Sequence, residues 1–434
     1  MHRETTPEVS STGIELYELC SELFPLCRSI TGDGVRATLE ILGRYLPLDV
    51  HEVPSGTQAL DWTVPLEWNI RDAYVADASG RRLVDFHRSN LHVVSYSVPV
   101  RERLSRDELL AHVFTLPDRP ASIPYRTSYY DEAWGFCVAH DELLRWPDGP
   151  YDVVIDSTLA PGALTYGEAF IRGHSDDEVL VTTHVCHPSL ANDNTSGMAL
   201  VALLGRALGE RALRHSYRLL LIPGTIGSIV WLDRNEDRLD RIAHGLVVTG
   251  VGDPGPLTYK RSRRGSADVD RAAAHVLERR EGPHVVIDFS PYGYDERQFC
   301  SPGFDLPVGR LGRTPYAEYP EYHTSGDDLD FIRPQQLADA LDTVLELVDV
   351  LEGNRRYRNT NPRGEPQLGR RGLYRSIGAT VDRHATELAL LWVLNLSDGD
   401  HDLLAIAERS GLSFATVRGA ADVLLEHHLL EPVA

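Results

Sequence analysis

Apolar runs of strand length alternate with stretches of helical apolar spacing through the middle of the chain. The strand-like runs lie at residues 151–156, 178–183, 217–223 and 244–250, and the helical stretches lie at 196–208, 226–234 and 334–351. Strands that are apolar at nearly every position are typical of a sheet covered on both faces. Because these strands alternate with helices, the pattern predicts an α/β domain with a mostly parallel sheet flanked by helices.

The region before this one shows two other patterns. Residues 12–60 predict a helical start to the chain. From 61 to 129 several short strand-like runs follow one another with turn residues between them. We therefore expect a β-rich insert domain at 61–129, inside an α/β domain formed by residues 1–60 and 130–353.

The C-terminal part is predicted to form a separate small domain. Residues 354–369 are polar and contain proline and glycine, which is typical of a linker. Residues 370–434 contain three helical patterns, and the last two are separated by the short glycine-containing turn of a helix-turn-helix. With residues 429–433 as a wing, this region is expected to be a winged-helix domain.

Composition narrows the class of protein. A chain of 434 residues is long enough for two or three domains. No apolar run approaches the roughly 20 residues that cross a bilayer, and the first residues lack the apolar core of a signal peptide. Five cysteines spread along the chain do not form the pattern of a disulfide framework. We therefore expect a cytoplasmic protein that does not bind a membrane.

Charge argues against a nucleic-acid partner. The formal net charge is −21, whereas nucleic-acid binding needs a basic surface. The helix-turn-helix region is acidic as well, because residues 370–434 contain six arginines, no lysine and nine acidic residues. We predict that the winged-helix domain makes protein–protein contacts, for example in a homo-oligomer, and does not bind nucleic acid.

The clearest chemical signal follows the strand at 178–183. His184 and His187 stand at the end of that strand, and Asp193 follows six residues later, just before a helix. Ligands bind at the carboxyl edge of an α/β sheet, and imidazole with carboxylate suits Zn²⁺. The alternative is that one histidine ends the strand and Asp193 caps the helix. Two histidines, an aspartate and a helix start in so short a segment favour the metal site.

The motifs around this segment resemble a known family. The run 192–197 after a strand that ends in histidine, with Tyr322-His323-Thr324 and Asp327-Asp328-Leu329 far downstream, resembles the co-catalytic zinc aminopeptidases. A closer resemblance is to a bacterial group of aminopeptidase-like proteins with a β-rich insert and a C-terminal winged helix. It extends over nearly the whole chain, and its recognisable stretches are 23–34, 61–65, 125–130 and 295–300.

This resemblance implies a metal site and its ligands. It implies one or two Zn²⁺ ions, with Asp193 bridging two metals or ligating one, and His323 as the last histidine ligand. The first histidine is either His184 or His187, and the residues alone do not decide between them. Asp253, after the strand at 244–250, is the candidate for a further carboxylate ligand, with a turn-forming role as its alternative.

One departure from the family concerns the general base. The aminopeptidases place a Glu-Glu pair after the next strand, whereas this chain has Gly224 there and no acid nearby. We expect a carboxylate from residues 290–323 to replace it, and Glu296 and Glu321 are the candidates. Glu321 is two residues from His323, so both side chains would share one face if the segment were extended.

The segment 290–299 is expected to line the site. Asp295 would hold a substrate ammonium group and Arg297 would clamp a carboxylate, unless the segment is only a surface loop of ion pairs. Tyr316 and Tyr322, near His323, would donate hydrogen bonds to an oxyanion or simply pack.

These features together predict a zinc-dependent hydrolase. The expected reaction is hydrolysis of an amide bond next to a free amine, in a peptide or peptide-like small molecule, by metal-activated water. The alternatives are a deacylase that acts on a non-peptide amide, and an exopeptidase fold that has lost activity and serves as a binding or regulatory protein.

Overall fold

The computed structural model describes residues 10–373 and 382–433. The chain divides into two compact units. The first unit combines residues 1–265 with 283–342, and the second combines 266–282 with 343–434. Among the described residues no helix has both the length and the apolar content needed to cross a membrane.

A large mixed sheet forms the centre of the first unit. Its eight strands in the described chain are β1 (Asp49–Pro54), β2 (Ala163–Ile171), β3 (Glu178–His184), β4 (Ser216–Ile222), β5 (Ile242–Val248), β6 (Leu257–Lys260), β7 (His284–Ile287) and β8 (Val308–Gly312). Their spatial order is β1-β2-β4-β3-β5-β8-β6-β7. The central strands β4, β3, β5 and β8 are parallel, as the sequence predicted, whereas β1, β2 and β6 add antiparallel pairings.

Helices cover the sheet, which explains the continuous apolar strands. Every residue of β3 and β4 is buried. The longer helices of this unit are Ser11–Leu23, Asp33–Leu42, Gly197–Gly209 and Ile226–Arg234. Shorter helical segments are Asn90–His92, Arg106–Leu110, His140–Leu143, Ala191–Ser196, Glu236–Arg241 and Glu296–Phe299.

The expected helical start is only partly right. Residues 12–60 begin with two helices, but β1 lies in the same region and pairs with β2 at one edge of the sheet. In β1 only Val53 is buried. A strand with one buried residue does not need alternating apolar and polar positions. A strand was therefore not predicted here.

A second, antiparallel sheet contains the β-rich region. Its strands in spatial order are Arg82–Asp85, Glu67–Ala76, Tyr151–Ala160 and Val100–Leu104. Two short pairings, Gln58–Ala59 with Trp62–Thr63 and Val113–Phe114 with Phe136–Cys137, lie in the same part of the chain. Tyr151–Ala160 was expected in the α/β alternation, and it pairs here because its apolar face completes a small core with Ala73 and Val75. The boundary at 61–129 stays a prediction, and this strand lies outside it.

The second unit has winged-helix elements. Its helices are Asp268–Leu277, the C-terminal part of Pro334–Gly353, Gly369–Arg371, Asp382–Leu396, Leu403–Ser410 and Phe414–Glu426. A three-stranded sheet joins Asp398–Asp402, Arg356–Asn359 and Leu430–Pro432 in that order. Gly411 adopts φ 71°, and the Ser413 hydroxyl accepts a hydrogen bond from Thr416 N, so the turn ends one helix and starts the next. Arg356–Asn359 is part of this sheet, although the sequence placed it in a linker.

Candidate metal centre

The end of β3 brings three metal-type side chains together. His184 is the last residue of β3, and its Nε2 lies 3.0 Å from His187 Nδ1 and 2.9 Å from Asp193 Oδ1. His187 Nδ1 lies 3.5 Å from the same carboxylate oxygen. Candidate ligand atoms of these three residues all lie within 4.8 Å of one another. The structure therefore brings both histidines to Asp193, and not only one of them.

His323 completes the group from a distant part of the chain. Its Nε2 lies 3.2 Å from Asp193 Oδ2, on the other carboxylate oxygen. His323 has φ 53°, a left-handed conformation that is uncommon for a residue with a side chain. Its carbonyl oxygen accepts a hydrogen bond from Tyr125 N at 2.8 Å, and the Tyr125 ring meets the His187 and His323 rings edge-on.

Asp193 is held by a second aspartate. The two carboxylate oxygens of Asp327 accept hydrogen bonds from Asn192 N at 2.6 Å and Asp193 N at 3.0 Å. Both aspartates are fully buried. Asp327 therefore fixes the backbone from which the Asp193 carboxylate projects toward the histidines.

The surroundings of Asp193 and His323 favour an ionised carboxylate and a neutral imidazole. Burial alone would raise the pKa of Asp193, but His187, His184 and His323 together hold that pKa well below its usual value. Burial lowers the pKa of His323, which favours its neutral form. Ionised carboxylate and neutral imidazole are the forms that ligate zinc.

The donor set fits a zinc ion. Asp193 Oδ2 and His323 Nε2 are buried and face each other at 3.2 Å, and neither atom has another hydrogen-bond partner in the described chain. Such atoms are costly to bury unless a further group satisfies them. Histidine nitrogen and aspartate oxygen are common zinc ligands, and the four side chains that offer them here are His184, His187, Asp193 and His323.

Asp253, in contrast, does not join the histidine group. Its carboxylate accepts hydrogen bonds from Gly255 N at 2.7 Å, Thr314 Oγ1 at 2.6 Å and Asn192 Nδ2 at 3.0 Å. These donors occupy both of its oxygens. Asp253 therefore stabilises the turn in which it lies and positions Asn192. This agrees with the turn-forming role that was the alternative to a metal ligand.

The two glutamates expected as general base have other surroundings. Glu296 is fully buried, and its Oε1 lies 2.9 Å from Lys260 Nζ. Glu321 lies in a stretch of turns, where its carbonyl oxygen accepts a hydrogen bond from Thr324 N at 3.0 Å. Because the segment is not extended, the reason for placing Glu321 and His323 on one face was wrong.

Asp295 occupies the neighbourhood of the missing Glu-Glu pair. Its Oδ1 accepts hydrogen bonds from Thr225 N at 2.7 Å and Ser228 Oγ at 3.1 Å, just beyond the end of β4. Thr225 has φ 64°, a strained conformation for threonine, and it directly precedes the helix Ile226–Arg234. Burial raises the pKa of Asp295, against the hydrogen bond from Thr225 N and the charge of nearby His184.

A cavity of about 240 Å³ adjoins the histidines. Asp295, Arg297, Tyr316 and Tyr322 line it, and the first two belong to the segment 290–299 that was predicted to line the site. Tyr322 stacks on His323 with ring centroids 3.9 Å apart, and the rings of Tyr316 and Tyr322 are tilted by 52° with centroids 6.0 Å apart. The remaining lining residues are Tyr129, His184, Cys186, His187, Gly224, Thr225, Tyr292, Gly293 and Tyr294.

Two supporting residues were missed as individual site residues. Tyr125 contacts both histidine rings, and Arg28, which is fully buried, donates from Nε to the His187 carbonyl oxygen at 2.8 Å. Burial lowers the pKa of Arg28 to about 10. Both lie in stretches that carry the family resemblance, 125–130 and 23–34, so the signal for them was present in the sequence.

Comparison with protein families assigns the chain. A family model described as a domain of unknown function, DUF4910, matches residues 17–354. The chain belongs to this family. A second model, described as a winged helix-turn-helix, matches residues 355–432 and confirms the winged-helix domain.

A relative from Clostridium acetobutylicum is similar over its whole length. It is provisionally named a polysaccharide biosynthesis protein with an aminopeptidase-like domain, and it is 50% identical over 98% of both chains. A crystal structure from the same organism, provisionally named a peptidase, is 49% identical, covers 97% of each chain and has a TM-score of 0.93. The fold of the DUF4910 family is therefore aminopeptidase-like.

More distant structures show the same fold. A zinc aminopeptidase from Bacillus subtilis is 15% identical with a TM-score of 0.56, covering 79% of this chain and 96% of that chain. A peptidase M28 precursor from Shewanella amazonensis is 16% identical with a TM-score of 0.55, covering 79% and 93%. These likenesses confirm the predicted α/β fold and the resemblance to zinc aminopeptidases.

Proposed function

We propose that this protein is a zinc-dependent amide-bond hydrolase that acts on a peptide or peptide-like small molecule. The observation that carries the proposal is the convergence of three histidines on one buried carboxylate. His184 and His187 face Asp193 Oδ1, while His323 lies 3.2 Å from Oδ2. The aminopeptidase-like fold supports the same class of reaction.

His184, His187, Asp193 and His323 would hold the metal. A zinc ion bound there would lower the pKa of a bound water to about 7 and polarise the scissile carbonyl. Around it, Asp327 keeps the Asp193 backbone in place through two hydrogen bonds. Tyr125 packs against two of the histidine rings and restricts their orientation. Supporting groups of this kind orient metal ligands.

Asp295 is our candidate for the proton acceptor. Its Oδ1 is anchored by Thr225 N and Ser228 Oγ, and Oδ2 accepts neither of these hydrogen bonds. A carboxylate that is buried, anchored by one oxygen and raised in pKa suits a general base better than one paired with a lysine. This favours Asp295 over Glu296, whose carboxylate is paired with Lys260.

A second candidate function is supported by the relative from Clostridium acetobutylicum. Its provisional name places it in polysaccharide biosynthesis. An amide hydrolase in such a process would remove an acyl group from an amino sugar, which is a non-peptide amide. The same residues would serve this deacylase, since the reaction also adds water to an amide carbonyl.

Zinc content and a substrate panel test the proposal. We expect elemental analysis of the purified protein to find zinc, and we expect hydrolysis of aminoacyl chromogenic amides that a chelator abolishes and added Zn²⁺ restores. Release of acetate from N-acetylated amino sugars, without aminoacyl hydrolysis, would favour the deacylase. Zinc binding without turnover on either panel would reject the enzyme and favour a binding protein.

A further inference from the structure

The cavity beside the metal centre is lined by an arginine, Arg297, that forms no ion pair with any residue the structure describes. Arg297 lines the cavity, and its Nε is buried without a hydrogen-bond partner in the described chain. The hydroxyl of Tyr316, on the same wall, is buried beside Tyr292, and the centroids of the two rings lie 5.0 Å apart. An unpaired buried donor is costly, so Arg297 Nε in this cavity points to a ligand that accepts hydrogen bonds.

The acids nearest to Arg297 in sequence are engaged elsewhere. Asp295 Oδ1 accepts from Thr225 N and Ser228 Oγ. Glu296 Oε1 lies 2.9 Å from Lys260 Nζ. Gly224 and Thr225 stand where the aminopeptidases carry two further acids. Both acids beside Arg297 therefore make their hydrogen bonds and ion pairs with groups other than Arg297.

A further cation lies behind the cavity wall. Arg310 is 3% exposed, its Nε has no hydrogen-bond partner among the described residues, and its Cζ lies 5.7 Å from the centroid of the Tyr294 ring. Tyr294 lines the cavity and stacks on His184. Lys260, Arg297 and Arg310 thus stand against three acids in this region, Asp193, Asp295 and Glu296, whereas the whole chain has a net charge of −21. Cations that balance the local acids in an otherwise acidic protein favour an anionic ligand group here over other parts of the protein.

We propose that this cavity binds a carboxylate of the substrate through Arg297 and Tyr316. Guanidinium groups match carboxylates with paired hydrogen bonds, and a tyrosine hydroxyl adds a third donor. The cavity, about 240 Å³, is small enough to select a compact group. The substrate class is then a small amide with a carboxylate close to the scissile bond, as in a dipeptide or an N-acyl amino acid.

The hydrolysis part of this inference rests on the proposed function, but the binding part does not. A matched pair of ligands, N-acetylalanine and N-acetylalaninamide, differs only in the charged group. We expect NMR titration to show about 10- to 100-fold tighter binding of the carboxylate, the range of one to two charge-assisted hydrogen bonds. Metal-free protein is titrated as well, because a carboxylate could also bind zinc directly.

Variants locate the binding. Arg297→Gln should remove the preference for the carboxylate in both the zinc-loaded and the metal-free protein, and Tyr316→Phe should reduce it. Arg264→Gln is the matched control, since Arg264 is an exposed arginine that pairs with Asp305. Equal binding of the two ligands, or a preference that survives Arg297→Gln, would overturn the inference.

Turnover separates this inference from the proposed function. Alanylalanine and N-acetylalanine should both be compared with their amides, which tests the free-amine and the acylated forms. If neither is hydrolysed but the carboxylate preference depends on Arg297, the hydrolase proposal fails and the binding site stands. If the neutral amides are hydrolysed as well as the acids, the hydrolase stands and the carboxylate site is rejected.

Discussion

Two neighbouring strand ends of the central sheet receive their polar side chains from different parts of the chain. β3 and β4 are parallel and in register, with His184 beside Ile222. After β3, the chain itself supplies His184, His187 and Asp193 within ten residues. After β4, the chain supplies Gly224 and no acid, and Asp295 reaches this position from 70 residues downstream.

This difference separates local from long-range information. Residues close together in sequence can supply several metal ligands at one strand end, because the strand and the turn after it fix the positions of their side chains. A carboxylate contributed from another loop depends on the packing of the whole sheet edge. The first kind of site is visible in a sequence, and the second becomes visible only in the fold.

The largest effect should follow removal of two of the four proposed metal ligands. In the Asp193→Ala, His323→Ala double variant we expect zinc content to fall to background and turnover to fall below detection. Three histidines converge on Asp193, and without its carboxylate the remaining imidazoles have no shared anionic partner. Elemental analysis and an activity assay measure the two effects.

A surface variant serves as the control for this loss. Asp176→Asn changes an exposed aspartate that pairs with Arg172, and it should leave both readouts unchanged. Circular dichroism should show that the double variant is folded. Zinc content that stays at the level of the unchanged protein would reject the histidine site.

The proposal that Asp295, from a distant loop, acts as the general base can be tested separately. Asp295→Asn should reduce turnover by about 10²- to 10⁴-fold and leave zinc content unchanged, since loss of a general base affects proton transfer and not metal binding. Asparagine keeps an oxygen that can accept from Thr225 N, so the loop should stay in place. Rate and zinc content are measured on the same preparation.

Glu321→Gln is the matched comparison for that variant. Glu321 lies in the turns before His323, and we expect its variant to retain both activity and zinc. If Glu321→Gln lost activity while Asp295→Asn kept it, the assignment of Asp295 as the base would be rejected. The sequence-based choice of Glu321 would then be restored.

The outcome for individual residues shows what the sequence could predict. His184, His187, Asp193 and His323 were predicted as metal ligands because strand-end position and family motifs agree, and the structure places all four together. The central parallel strands were predicted because burial on both faces leaves continuous apolar runs. β1 was missed because a mostly exposed edge strand leaves no such pattern.

The remaining differences arise from long-range contacts. Asp253 follows a strand as a ligand would, but Gly255, Thr314 and Asn192 occupy its oxygens. Glu321 seemed to share a face with His323 only under the assumption of an extended segment. A sequence does not show which donors meet a carboxylate from elsewhere in the chain, so the hydrogen-bond partners of Asp253 and Asp295 required the structure.

The smallest effect concerns the hydroxyl that anchors Asp295. Ser228 Oγ lies 3.1 Å from Asp295 Oδ1, and a hydrogen bond to the ionised carboxylate lowers its pKa. Burial already raises the pKa of Asp295 above its usual value, and Ser228→Ala should raise it further. Because the base must be ionised to accept a proton, the acid limb of the rate profile should move to higher pH, with little change above the limb. Ser410→Ala, in the second unit, is the control, and an acid limb that does not move in Ser228→Ala would show that another group sets the pH dependence.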